Sequence, residues 1–145
     1  MNRARLLVLA ALALVAACSD LTTQPAANRI TTPIASPSFT NDIEPILVET
    51  CASANACHSG ASPQKGLRLD AGFAYANLVN VASTFDPNLM RVMPAFPDSS
   101  FFYLVMSEDL VTRRGYYRMP VTEYPMPAAV QQTIRNWILN GAPNN

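Results

Sequence analysis

Apolar residues at helical spacing predict a first helix near residue 40. Phe39, Ile43, Ile46 and Leu47 fall on one face of a helix that runs up to Cys51. This spacing is typical of an amphipathic helix whose apolar face packs against a core. The pattern therefore predicts that the helix is half-buried and that Cys51 stands at its end.

The last helix has the clearest apolar stripe in the chain. Val130, Ile134, Trp137 and Ile138 follow an i, i+4, i+7, i+8 pattern within residues 128–140. These positions line one side of a helix. Trp137 is the only tryptophan and is expected to be a core anchor that packs on the first helix.

Two shorter helices are predicted between these two, over residues 71–79 and 100–107. No stretch alternates apolar and polar residues clearly enough to predict a strand. The intervening residues 82–97 and 110–127 form long loops that contain several prolines. The sequence therefore predicts an all-α fold of about four short helices. Loops of this length are uncommon in a compact domain, and a large apolar prosthetic group would organise them.

The first seventeen residues form a predicted export signal. Arg3 and Arg5 precede an apolar run at residues 6–15, which is too short to span a membrane. The run leads into Ala-Ala-Cys at Cys18, which resembles the cleavage site of bacterial lipoproteins. We expect cleavage after residue 17 and lipidation of Cys18. The domain would then be anchored to a bacterial membrane, facing the periplasm or the cell surface.

The residues after Cys18 predict a tether followed by one domain. Residues 18–38 are rich in Thr, Pro, Ala, Asn and Ser, which favours a flexible linker. The domain is expected to occupy residues 39–145. Removal of the signal leaves eight basic and ten acidic side chains, with no basic patch. Nothing in this charge distribution indicates binding to nucleic acid.

The candidate chemistry lies in one segment after the first helix. Cys51, Cys57 and His58 are two of the three cysteines and the only histidine. Two cysteines followed at once by a histidine are typical of covalent haem attachment, in which the thiols bond the vinyl groups and the imidazole binds iron. The usual spacer has two residues and this one has five. Cys51 would therefore need a bulged loop, which the mostly small residues 52–56 permit.

The second axial ligand of such a haem is expected to be a methionine, because the chain has a single histidine. Met119, Met126 and Met93 each precede a proline, which favours extended loop backbone. Met119 is the preferred ligand, with Met126 and Met93 as alternatives. In the remaining alternative no methionine binds iron and all of them fill gaps in the core.

With these elements placed, residues 39–143 resemble a small class I-type cytochrome c domain, as in the predicted monohaem lipoproteins of environmental bacteria. The resemblance rests on the first helix and its Cys…Cys-His segment, on the Arg-Met-Pro loop and on the final helix. It implies a cytochrome c-like fold around one haem c. It further implies that Cys51 and Cys57 are thioether attachments, His58 the proximal ligand and Met119 the distal one.

The expected function is one-electron transfer by a lipid-anchored protein that meets redox partner proteins transiently. An enzyme is not expected, because a lone histidine without a visible base or oxyanion partner gives no catalytic constellation. Two alternatives stay open. One is Cu(I) binding by Cys51, Cys57, His58 and methionines. The other is a haem-free lipoprotein with a Cys51–Cys57 disulfide, which an oxidising compartment permits.

Overall fold

The structure is a computed structural model and describes residues 25–53, 57–107, 115–122 and 124–145. The predicted export signal, Cys18 and the middle of the Cys51–Cys57 spacer lie outside the described residues. Within them the α-helices are Ala26–Arg29 (α1), Glu44–Thr50 (α2), Ala74–Leu78 (α3), Phe101–Leu104 (α4) and Ala128–Leu139 (α5). Strand-type pairing in this part of the chain is limited to three isolated bridges, so the predicted all-α class is confirmed there.

The first predicted helix is present as two joined pieces. A π-helical turn at Phe39–Ile43 leads directly into α2. Ser38 caps the start, because its hydroxyl oxygen accepts the Asn41 N–H at 3.3 Å while its own N–H donates to the Asp42 carboxylate at 2.8 Å. These reciprocal bonds satisfy donors that would otherwise be free at a helix start. No helix in the described ranges has the length and apolarity needed to cross a bilayer.

Trp137 joins the last helix to the first. Its side chain is fully buried, and its ring centroid lies 5.5 Å from that of Phe39. Phe39 also makes an edge contact with Tyr75 at 5.1 Å. The indole N–H donates to the Pro143 carbonyl at 3.0 Å, so the buried polar atom is satisfied. The predicted packing of Trp137 on the first helix is confirmed.

α5 ends in a Schellman motif that folds the C-terminus back onto the core. The Ala142 N–H donates to the Trp137 carbonyl at 2.9 Å, and the Gly141 N–H donates to the Ile138 carbonyl at 3.0 Å. Gly141 has a φ of +92°, which a residue with a side chain rarely adopts. The turn delivers the Ala142 carbonyl to the Tyr75 hydroxyl, which donates to it at 2.9 Å.

The two short predicted helices are present but shorter than expected. α3 covers Ala74–Leu78 within the predicted 71–79, and α4 covers Phe101–Leu104 within the predicted 100–107. The prolines of residues 82–97 prevent helix there, and the isolated bridges pair the backbone of that stretch instead. Backbone pairing, and not a longer helix, therefore orders this loop.

Residues 25–38, predicted to belong to a flexible tether, lie instead along the domain. Three side chains on one side of α5 bind their backbone. Thr133 Oγ1 accepts the Ile34 N–H at 3.0 Å, and Asn136 donates to the Ile34 carbonyl at 2.8 Å. Asn140 donates to the next carbonyl along the chain at 3.0 Å. These contacts hold the backbone around Ile34 against the side of α5.

α1 is fastened to α2 through Glu49. The Glu49 carboxylate accepts the Ala26 N–H, which has no partner inside so short a helix, and the Arg29 guanidinium at 3.3 Å. Ala26 and Ala27 are buried. No sequence pattern predicts this docking, because it uses backbone bonds and small alanines, which leave no hydrophobic pattern.

Candidate functional site

The predicted attachment segment starts at the end of α2. Cys51 is the C-terminal cap, and its N–H donates to the Leu47 carbonyl at 2.9 Å. The His58 N–H in turn donates to the Cys51 carbonyl at 3.2 Å. The two ends of the segment are therefore joined, and His58 lies next to the end of α2.

The two cysteines are free thiols in different environments. Cys51 packs against the hydrophobic core, whereas Cys57 is exposed. Burial, with a smaller contribution from the Cys57 thiol, raises the pKa of the Cys51 thiol to about 12. The disulfide of the haem-free alternative is not formed in this structure.

We expect iodoacetamide to modify Cys57 at least about 100-fold faster than Cys51 in the folded, haem-free chain at pH 8, because the thiolate is the reacting form. A thiol with a pKa of about 12, such as Cys51, holds very little thiolate at that pH. Peptide mass spectrometry after timed alkylation measures both rates. The rates should converge in urea, which is the control, and equal rates in the folded chain would contradict the burial of Cys51.

His58 is half-buried, with its ring tied to the backbone. Its Nδ1 lies 3.2 Å from the Leu67 carbonyl oxygen. A carbonyl oxygen only accepts hydrogen bonds, so Nδ1 carries the proton and Nε2 carries the lone pair. Burial lowers the pKa of His58, the carbonyls of Leu67 and Gln64 oppose this effect, and the positive charge of Arg91 adds to it. The ring is thus held as a neutral imidazole in one tautomer.

The loop after His58 is held by a second set of contacts. The Asp70 carboxylate accepts Arg68 Nε at 2.6 Å and the Gly60 N–H at 3.0 Å. The hydrogen bond from Arg68 is the main cause that lowers the pKa of Asp70. The Arg68 guanidinium also lies over the Phe73 ring, 3.5 Å from its centroid. Ser59 is buried beside His58, and its Oγ has no hydrogen-bond partner among the described residues.

The three candidate methionines differ in burial. Met126 is buried in the hydrophobic core, and Met93 is exposed. Met119 is half-buried in its loop, and its N–H donates to the Val105 carbonyl at 2.8 Å. The Met126 thioether is therefore engaged in packing, and the loop position of Met119 suits a ligand better.

Two open cavities lie beside the N-terminal segment, with volumes of about 600 and 310 Å³. The smaller one is lined by Thr50, which precedes Cys51, and by Pro120, which follows Met119. Neither cavity is lined by His58 or by Met119. The segments that carry Cys51 and Met119 thus meet at one cavity, but the predicted axial ligands do not face each other across either cavity.

An aromatic cluster lies next to the loop that follows His58. Phe85 stacks on Phe101 with ring centroids 5.6 Å apart, and Tyr116 meets Phe101 at 5.2 Å. The Thr84 hydroxyl donates to the Lys65 carbonyl at 3.0 Å, which brings this cluster to the loop. Phe85 is 48% exposed, so the site has an apolar surface at its side. Sequence reasoning missed Phe85, because it lies in an irregular stretch without periodicity.

The donor set suits covalently attached haem. It comprises two free thiols, an imidazole with its lone pair on Nε2, and a half-buried thioether on a loop. Ser59 Oγ, which has no hydrogen-bond partner among the described residues, is a further polar group next to His58 in the chain. In the part of the chain that the structure describes, no three or more His, Cys, Asp or Glu side chains gather as a metal site of their own.

Comparison with known proteins does not assign the chain to a family. No protein-family model, no curated protein and no solved structure matches it. The functional interpretation therefore rests on the geometry and chemistry of the site itself.

Proposed function

We propose that this chain is a monohaem c-type electron carrier in which Cys51 and Cys57 bond the haem and His58 is its proximal ligand. The hydrogen bond from His58 Nδ1 to the Leu67 carbonyl carries the proposal. It keeps the lone pair on Nε2 and fixes the ring through the backbone. Metal-binding histidines nearly always have such a partner on the other ring nitrogen. When bound, the haem iron supplies reversible one-electron chemistry.

The state of the thiols supports covalent attachment. Both are free, and the His58 N–H donates to the Cys51 carbonyl, which holds the histidine next to the first cysteine. Cys51 is partly buried in the folded chain, and its pKa of about 12 makes it a poor nucleophile there. We therefore expect the bond at Cys51 to form before the domain folds.

Met119 is the proposed distal ligand. Its loop position and half-burial leave the thioether less engaged than that of Met126, which packs in the core. A His/Met ligand pair raises the reduction potential relative to more basic pairs. The apolar surface of Phe85 and Phe101 beside the site would act in the same direction, because burial disfavours the more highly charged oxidised state.

The architecture is compatible with a cytochrome c-like fold. The first and last helices pack through Phe39 and Trp137, as the resemblance to class I cytochromes c implies. We propose lipidation of Cys18, anchoring to a bacterial membrane, and transient docking of redox partner proteins through small interfaces. An electron carrier needs no substrate-binding pocket, and we propose no enzymatic activity.

Expression of the full chain with haem-attachment machinery tests the proposal. The denatured protein should retain haem on the polypeptide, detected by its absorption and by the added mass on the peptides that carry Cys51 and Cys57. Replacing both Cys51 and Cys57 with serine should abolish this retention. Cys18→Ser is the matched control, because it should release the protein from the membrane and leave haem attached. A denatured wild-type protein without haem would remove the proposal.

Cu(I) binding is the second candidate, favoured by the two free thiols. It predicts a colourless protein in which both cysteines can be alkylated after denaturation. The same expression experiment distinguishes the two functions, because thioether bonds would block alkylation of both cysteines.

A further inference from the structure

Arg91 is a buried cation that binds three backbone carbonyls. Nη1 donates to the Asn77 carbonyl at 2.9 Å. Nη2 donates to the carbonyls of Lys65 and Gly66, each at 3.3 Å. One guanidinium thus connects the end of α3 to the loop that follows His58. The planar fork of arginine permits this, whereas a lysine ammonium on a single stem does not reach the same set of acceptors in fixed directions.

The backbone of Arg91 is equally constrained. Its N–H donates to the Val81 carbonyl at 2.6 Å, and its carbonyl accepts the Phe102 N–H at 2.9 Å. Among the described residues, no carboxylate forms an ion pair with Arg91. Burial lowers its pKa, which reflects the cost of a charge removed from water without a counter-ion. The three carbonyl bonds offset this cost.

The loop that Arg91 holds contains the acceptor for His58. Lys65 and Gly66 have φ values of +55° and +63°, so two consecutive residues lie in the left-handed region. For Lys65 this conformation costs about 1 kcal/mol. Leu67 follows directly, and its carbonyl accepts from His58 Nδ1. The bonds from Arg91 to the Lys65 and Gly66 carbonyls hold this strained turn, and with it the position of the Leu67 carbonyl.

We propose that Arg91 is the positioning residue of the site: its guanidinium fixes the turn at residues 65–66, so that the Leu67 carbonyl selects one tautomer and one orientation of His58. This positioning role does not depend on a bound haem. A second consequence rests on the proposed function. Because Arg91 is a buried cation bonded to the turn that precedes the His58 acceptor, its charge would disfavour the oxidised, more positive state of an iron bound at His58 and would raise the reduction potential.

The single histidine makes the positioning role directly measurable in the full, haem-free chain. With ¹⁵N-labelled histidine, the wild-type imidazole should show the Nδ1–H form as its main tautomer. Arg91→Gln should make the Nε2–H form the main tautomer. Arg135→Gln is the control for loss of an arginine charge, since Arg135 lies on α5 with Asp98 as its partner at 3.9 Å, and it should leave the tautomer unchanged.

Arg91→Lys distinguishes the role of the planar guanidinium from the role of its positive charge. It should shift the tautomer as Arg91→Gln does, and in the haem-loaded chain it should keep most of the wild-type potential. Arg91→Gln should lower that potential, and Arg135→Gln should leave it unchanged. If the chain holds no covalent haem, the proposed function fails, while the tautomer of the haem-free chain still decides the positioning role.

A folded Arg91→Gln protein that keeps the Nδ1–H tautomer would overturn the proposal. If Arg91→Gln does not fold, Arg91→Lys decides by the same measurement. The wild-type guanidinium supplies a further readout that needs no variant. Its Nη protons should show hindered rotation because both nitrogens are bonded. Free rotation of the guanidinium in the wild-type chain would also overturn the proposal.

Discussion

Replacing Trp137 with alanine should lower the free energy of unfolding by about 3–5 kcal/mol, the range for large aromatic residues removed from a core. The side chain is fully buried between the first and last helices and lies against Phe39. The substitution leaves a cavity at this contact and removes the indole donor from the Pro143 carbonyl. Both effects act on the folded state, so the chain should unfold at a much lower urea concentration.

Urea titration followed by far-ultraviolet circular dichroism measures this loss, because the variant lacks the only tryptophan fluorophore. Leu139→Ala is the matched control on the same helix. Leu139 is 42% exposed, so its truncation should cost less than about 1 kcal/mol. Similar midpoints for the two variants would show that the contact between the first and last helices does not hold the fold together.

Met119→Leu should abolish the weak thioether-to-iron absorption band near the red end of the spectrum of the haem-loaded protein. Leucine conserves the volume of methionine, so the change removes the sulfur and costs less than about 1.5 kcal/mol of stability. It should also lower the reduction potential, because the thioether ligand that favours reduced iron is lost. Absorption spectroscopy and a redox titration of the full chain measure the two effects.

Met126→Leu is the matched control, since it removes a thioether from a side chain that is buried in the core. The red band should persist in this variant, with stability changed only slightly. Loss of the band in Met126→Leu and its retention in Met119→Leu would reverse the assignment of the distal ligand.

Periodic apolar patterns predicted the parts of the fold that long-range packing stabilises. The helix from Phe39 to Thr50 and α5 both carry a continuous apolar stripe, and both are present close to the predicted bounds. The packing of Trp137 followed from the same stripe. The shorter helices α3 and α4 lie where they were predicted but are shorter than predicted. One or two helical turns contain too few apolar positions to define where a helix ends.

The docked N-terminal segment, the acceptor that orients His58 and the burial of Arg91 could not be predicted. These features depend on backbone atoms and on isolated side chains. The docking of residues 25–38 uses the Ile34 N–H and carbonyl, which every residue type offers. The Leu67 carbonyl that orients His58 has no sequence signal for the same reason. Arg91 is a single arginine in an irregular stretch, and only the fold shows that it is buried. The cysteines and the histidine could be identified because their chemistry resides in the residue type itself.

The docked N-terminal segment limits the distance between the domain and the proposed lipid anchor on Cys18. Six residues separate Cys18 from Pro25, the first residue of that segment, and so short a stretch spans at most roughly 25 Å. A free linker over residues 18–38 would reach roughly 70 Å. The domain itself is roughly 35 Å wide. With lipid on Cys18, as proposed, the start of α1 would stay within roughly 25 Å of the lipid headgroups, against roughly 70 Å for a free linker.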